Sequence, residues 1–325
     1  MENLKHIATV ASNGDEVVGD LLATAIEQAG IDGGIKIEDA KSSQTTLEMV
    51  EGFIFDSGWS SPRFINDERR NAVTHDDSIF FITDHKLEFI EPALPILELA
   101  ARENKPLIII ADEIEGQFLA SLIVNVVRGS MKVAAVKPPR YGEERREILK
   151  DIALATGGTF FTRESGRDFS DFKLKDFGRA KSADITRYTT TIVGGDANNE
   201  QVEEQIETLK ELIKNESDMR VCARAQERIN RLVAAVAIIK VGAPTEVEMI
   251  EKKHRIEDAL GAVTAAQKHG FHAGGGIGLL RASEQISASE DLNEDMALGY
   301  KIIRESCAEP FRQISINCGL SSDIL

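Results

Sequence analysis

The densest run of glycine in this chain of 325 residues is HAGGGIGLL, residues 272–280. Gly274, Gly275 and Gly276 stand directly before a helical pattern. Residues without a Cβ let an anion come close to backbone N–H groups that a helix start leaves unpaired, where the helix dipole also favours negative charge. The same run would serve equally as a turn between two helices, and spacing leaves both readings open. A dinucleotide fingerprint needs a strand immediately before its glycines, and the helical pattern that precedes them here removes that reading. Asp258, in HRIEDALGAV, stands toward the middle of the long helical segment before the glycines. A carboxylate in that position is ordinarily a solvated face residue; it would orient an attacking water only if its helix leaned over a nucleotide.

Other chemistry finds little support. No Ser/His/Asp order, CxxC or HExxH occurs, and the six histidines are scattered, so hydrolytic triads and metal sites are not indicated. Cys222, Cys307 and Cys318 match neither a disulfide framework nor metal-ligand spacing and read as small packed hydrophobes, which points to a reducing, cytoplasmic setting. The balance of 54 acidic against 38 basic residues, a formal charge of −16, argues against nucleic acid or an anionic membrane as partner, since both need a concentrated cationic face. No apolar run approaches the ~18 residues of a membrane span, and MENLKHIATV lacks the pattern of a signal peptide.

The elements that must position these residues can be read from periodicity. A chain of this length exceeds what a single core usually holds, so at least two domains are expected. In SNGDEVVGDLLATAIEQAG, the cap candidates Ser12, Asn13 and Asp15 precede apolar residues at helical spacing, and Gly30 ends the helix. GIKIEDA and TTLEMVEGFIF alternate as half-buried antiparallel strands do. From Ser78 onward, the apolar runs SIFFIT, PLIIIA, KVAAVK and GTFF are separated by helical patterns at Glu88–Ala101, Gly116–Arg128 and Glu143–Thr156. That alternation predicts a parallel sheet. A long charged helical region runs from Asn198 to about Val236, followed by the strand AIIKVG. A second long helix, Thr245–Lys268, opens with the Thr245/Glu248 capping-box pattern and ends at Gly270. GLLRASEQI and EDMALGYKIIRESCAEPFRQI read as two more helices. The expected fold class is mixed α/β and α+β: a mainly parallel sheet flanked by helices, an antiparallel strand layer, and a further helical portion.

Two of these helices carry more apolar surface than a sheet-covering helix needs. In GQFLASLIVNVV, the apolar side chains spread over about 240° of the helix circumference. In EFIEPALPILELAA, Phe89, Ala93, Ile96 and Ala100 lie on one arc, with Ile90, Leu94 and Leu97 on a neighbouring one. Either both helices are buried on several sides, or they expose an apolar groove suited to extended polypeptide. Periodicity leaves that choice open.

The strings VEGFIFDSGWSSPRFIN, KPLIIIADEIEGQFLASLIVN, KVAAVKPPRYGEERREILKDIALATGG, KVGAPTEVEMIEKKHRIEDAL and AGGGIGLLR together resemble the group I chaperonins, the GroEL type, from about Ile7 to the C-terminus. The resemblance implies a contiguous excerpt of a subunit that assists ATP-dependent protein folding. Its parts would be a first intermediate-domain segment at 1–50, an apical polypeptide-binding domain at 51–236, a second intermediate segment at 237–268 and part of the equatorial domain at 269–325. The positions matching the surface that binds non-native polypeptide and the co-chaperonin (GroES type) are Trp59, Arg63, Phe64, Leu94, Leu97, Leu119, Ile123 and Val124. Arg63 stands where the family usually has an aromatic residue. Ser57 stands where well-known members carry a basic partner for a neighbouring subunit's acid, matched here by Glu246, so that bridge is not expected.

Asp258 matches the family's hydrolysis-promoting aspartate, and Gly274–Gly276 match a glycine loop at the nucleotide. The family's main ATP- and magnesium-binding motifs have no counterpart in this chain. The resemblance therefore implies polypeptide binding without bound ATP or Mg, with homo-heptameric rings belonging to the full-length family and this chain possessing at most a part of the ATPase site. The alternative it carries is the ordered portion of a complete ATP-hydrolysing foldase subunit. Apolar residues after His269, such as Ile277, Leu280, Ile302 and Ile303, are expected to lack neighbours.

Overall fold

Helix boundaries follow the local cap chemistry in a computed structural model that describes residues 2–30, 33–285 and 293–320. Helix α1, Glu2–Ala11, is followed by α2, Glu16–Ala29. The Asp15 carboxylate accepts from the backbone N–H groups of Val17 and Val18 at 3.0 and 3.1 Å, and Gly30 closes the helix at φ +80°. A short polar side chain before the first turn and a left-handed residue after the last satisfy the backbone groups a helix leaves over.

Strands β1 (Gly34–Asp39) and β2 (Thr46–Phe55) lead into a 15-residue strand, β3 (Val73–Leu87). The parallel region then alternates as its apolar runs foretold: α3 (Leu94–Glu103), β4 (Leu107–Ile114), α4 (Gly116–Val127), β5 (Val133–Val136) and α5 (Gly142–Thr156). After these come β6 (Phe160–Phe161), β7 (Gly178–Ile185) and β8 (Thr190–Gly195), then α6 (Asn199–Asn215) and α7 (Met219–Val233). Strand β9 (Ala235–Val241) and helix α8 (Glu246–His269) precede α9 (Ile277–Glu284), α10 (Glu294–Ser306) and α11 (Glu309–Asn317).

Several expectations need correcting. The helix expected from Glu88 starts at Leu94, because β3 runs on to Leu87 and Pro95 is accommodated in the helix's first turn, where it displaces no intrahelical bond. The charged region after Asn198 is two helices. Glu216 breaks it by accepting the backbone N–H groups of Ser217 and Asp218, after which Asp218 caps α7 through Arg220 N–H at 2.8 Å. The final helical stretch is likewise two helices, α10 and α11, with Pro310 in the first turn of the second. Strand β1 pairs in parallel with β9 and not antiparallel with β2. The hairpin β7–β8 and helix α1 were not anticipated.

The nine strands found among the described residues lie in the order β1-β9-β2-β8-β7-β3-β4-β5, with β6 alongside β3. The pairs β3–β4 and β4–β5 are parallel, while β2–β8, β8–β7 and β7–β3 are antiparallel. The expected parallel sheet and antiparallel layer are thus one mixed sheet. Within it, β2 changes partner: Thr46–Glu51 pair with β9, and Gly52–Phe55 with β8.

The core is centred on β3 and β4. Leu107, Ile108, Ile109, Ile110 and Ala111 are all buried, as a strand covered on both faces requires. Because right-handed crossovers from β3 to β4 and from β4 to β5 step the same way across the sheet, α3 and α4 lie on the same face. Helix α5 returns toward β6 in the opposite direction and covers the other face, where it packs on β3, β7 and α7. There Arg228 of α7 donates to both carboxylate oxygens of the buried Asp151 at 2.8 Å.

Compactness divides the chain into Met1–Ala259 and Leu260–Leu325. The first unit contains the whole sheet, and the second holds the end of α8 with α9–α11.

Candidate functional site

The start of α4 is tied by the backbone to the end of β3. Glu115 N–H donates to Leu87 O at 3.1 Å and Phe118 N–H to Glu88 O at 2.9 Å. Lys86, at the end of β3, pairs with Glu88, Glu113 and Glu115. The Glu115 carboxylate, and after it Glu113, hold the Lys86 ammonium above its usual range.

Each helix then sorts its apolar residues by depth. On α3, Ile96, Leu97 and Ala100 are buried together with Ala93, while Leu94 is 46% exposed. On α4, Phe118 and Leu122 are buried, Leu119, Ile123 and Val126 are half-buried against the core, and Val124 and Val127 are 45% and 70% exposed. Phe89, in the turn before α3, is exposed as well. The wide apolar arc of α4 therefore does two jobs: one side fills the core and the other faces water.

Among the residues matched to the polypeptide-binding surface, the structure gathers Leu94, Leu119, Ile123 and Val124 onto these two helices. It also makes two corrections. Leu97, 6% exposed, belongs to the sheet-facing stripe with Ala93, Ile96 and Ala100, and Phe64, 2% exposed, is a core residue. Neither is exposed. Phe89 and Val127 take their place as exposed apolar positions. Their signal was in the sequence, since both lie on the arcs that exceeded what a sheet-covering helix needs.

Trp59, Arg63 and Phe64 arrive on the segment after β2. Trp59 forms a bridge to Val136 at the open edge of β5, and Ser60 N–H donates to Ala135 O at 2.8 Å. The indole Nε1 of Trp59 donates to Asn71 O at 3.3 Å. The following 3-10 turn, Pro62–Phe64, packs against α4 and β5, and leaves Arg63 exposed. The Ser57 hydroxyl donates to Lys137 O, while Glu246 is exposed at the start of α8.

Asp258 lies on α8 within the first unit and is exposed, with Ile256 and Ala259 beside it in the core. The helix is held by Lys253 to Asp39 at 2.7 Å, Arg255 to Asp15 at 3.1 Å and Glu257 to Arg69 at 3.3 Å. In the second unit, Gly274–Gly276 form a turn into α9. Gly276 sits at φ +79°, and a Cβ there would come within 2.5 Å of the Phe311 backbone nitrogen, so its glycine is explained by helix packing within the unit. A Cβ on Gly274 or Gly275 would meet nothing within 4 Å; space beside these two residues is open. Among the described residues, no group of three His, Cys, Asp or Glu side chains is placed to hold a cation, and no helix is long and apolar enough to cross a membrane.

A mixed sheet, a pair of helices that expose apolar side chains over a filled core, and a glycine turn after a long helix are what the chain supplies. The model of the TCP-1/cpn60 chaperonin family matches residues 1–325, and the chain belongs to that family.

Proposed function

We propose that the chain binds non-native polypeptide through the apolar strip of α3 and α4, in the manner of the apical domain of a group I, GroEL-type chaperonin, and that the same strip receives a GroES-type co-chaperonin. The observation that carries this reading is the exposure of Leu94, Val124 and Val127 above buried Ile96, Leu97, Phe118 and Leu122. Apolar side chains of that size gain free energy by leaving water when an unfolded segment covers them. Family membership supports assembly into rings, seven-fold in this reading, and a role in the cytoplasm. The domain limits at 50/51, 236/237 and 268/269 belong to the same proposal. The first two fall inside β2 and β9.

Binding is tested with chemically denatured protein as ligand. Replacing Leu94, Val124 and Val127 together by Ser should weaken capture at least about tenfold, given ~25 cal/mol per Å² of apolar area, while the melting temperature stays within about 2 °C because none of the three is in the core. Unchanged capture by this variant would remove the strip from the function.

A second reading, an ATP-hydrolysing foldase subunit, draws on exposed Asp258 and the open side of Gly274 and Gly275. Steady-state ATP hydrolysis by the purified chain, abolished in Asp258→Ala, would favour it. No turnover above background favours polypeptide binding alone.

A further inference from the structure

Arg63 stands exposed beside exposed Pro62, in a turn flanked by buried Ser61 and Phe64. Its backbone is firmly placed: Arg63 N–H donates to the Ser61 hydroxyl at 3.3 Å, Ile65 N–H donates to Pro62 O at 3.3 Å, and Pro62 occupies the start of the turn. The other arginines of this segment are committed, Arg69 to Glu257 and Arg70 to the buried Asp184 at 2.6 Å. The Arg63 guanidinium makes no ion pair or side-chain hydrogen bond among the described residues. A permanently charged group with five donors is therefore held on a rigid turn that packs against α4.

We infer that Arg63 sets specificity at the apolar strip, favouring segments that carry an acidic side chain among their apolar ones. This rests on the polypeptide-binding reading. A segment lying along the exposed side chains of α4 has the Pro62–Phe64 turn at its border, because the turn packs on that helix. At the start of α4, the carboxylates of Glu88, Glu113 and Glu115 share the single Lys86 ammonium and leave that end net negative, so an acidic side chain is favoured at the Arg63 border and not there. At its other end, Arg128 is a second exposed cation. The chain as a whole carries −16, so its overall field attracts basic segments. That field is screened beyond about 8 Å at physiological salt, whereas a group in contact with Arg63 is not. Local and global electrostatics thus call for opposite orders of affinity, which makes the inference easy to test.

The test uses the full chain at physiological salt and three labelled twelve-residue peptides, alike in their apolar residues and differing in one central Glu, Gln or Lys. Fluorescence anisotropy should rank them Glu over Gln over Lys, each step about threefold, as exposed ion pairs give. Arg63→Gln should remove the first step, Arg63→Glu should invert the order, and Arg63→Lys, which keeps the charge, should preserve it and serves as the control for folding. The order Lys over Gln over Glu, or a Glu preference that survives Arg63→Gln, overturns the role of Arg63. If the Gln peptide binds without any dependence on charge, only the Arg63 inference fails. If no peptide binds at all, the polypeptide-binding reading fails with it.

Discussion

Leu94, Val124 and Val127 on α3 and α4 face water above a layer in which Ile96, Phe118 and Leu122 are withdrawn from it. On α9–α11, Leu279, Met296, Leu298, Ile302 and Ile303 also face water, but the residues these helices bury are Ser283 and Ser315. The first arrangement is a surface: its shape is set from beneath by a core that stays in place whether or not anything binds. The second has no apolar layer under it among the described residues, so its exposed side chains do not have a fixed floor. Apolar exposure therefore indicates a binding surface only where the layer below is already filled.

That contrast can be broken by measurement. The largest difference should appear in native-state hydrogen exchange, where amides of β4 open only with the global transition and those of α9–α11 open locally; rates differing by at least about a thousandfold are expected. Equal protection would show that the helical tail has a core after all. Next in size is depth within a single helix. Phe118→Ala should cost ~3–5 kcal/mol in urea denaturation, and Val127→Ala, two and a half turns on, less than about 0.5 kcal/mol. Comparable losses would mean that Val127 is not free.

The smallest effect concerns the strand under α3 and α4. Burial, and after it the Lys132 ammonium, hold the His75 imidazole of β3 below its usual range, opposed by Asp76. An unfolded chain takes up this proton near pH 6.5, while the folded chain resists it. The stability contributed by the neutral ring is therefore complete above the unfolded value and is lost as pH falls through 6.5 toward the folded one. Melting temperature should drop by roughly 1–3 °C between pH 7.5 and pH 5.5, and the drop should shrink in His75→Asn. A pH response identical in that variant would assign it to other groups.

The parallel half of the sheet was legible in the sequence because strands covered on both faces are forced into unbroken apolar runs, as in PLIIIA. The hairpin β7–β8 was not. GRAKSADI and TTIVGG mix Lys, Asp, Ser and Gly with few apolar residues, and their pairing depends on β3 and β2, which lie far away in the chain. Extension of β3 back to Val73 was hidden in the same way by the polar VTHDD. The break between α6 and α7 did leave a signal, the cap residue Asp218 following Glu216, within an otherwise continuous helical pattern. At the candidate site, periodicity gave the excess of apolar surface on α3 and α4 but not its depth. Leu94 and Leu97 lie close together on the helix circumference, and only the position of the sheet decides that one is outside and the other inside. Phe64 shows the same limit, since an aromatic residue beside an exposed Arg63 carries no local mark of which way it points.

Strand β2 has a mechanical consequence. Glu51 is its last residue paired to β9 and Gly52 its first paired to β8, so a single covalent strand is clamped on one length by one neighbour and on the next length by another. Tension applied to the β9 side is delivered to the β8 side through the backbone itself, without crossing a hydrogen bond. Twist between the two sides has to be taken up where the clamps change hands. A Cβ at that point would lie 2.4 Å from Val236 Cγ2 and 2.7 Å from Ile192 O, so the joint accepts glycine and little else. The sheet is consequently continuous along β2, and its change of partner is fixed at Gly52.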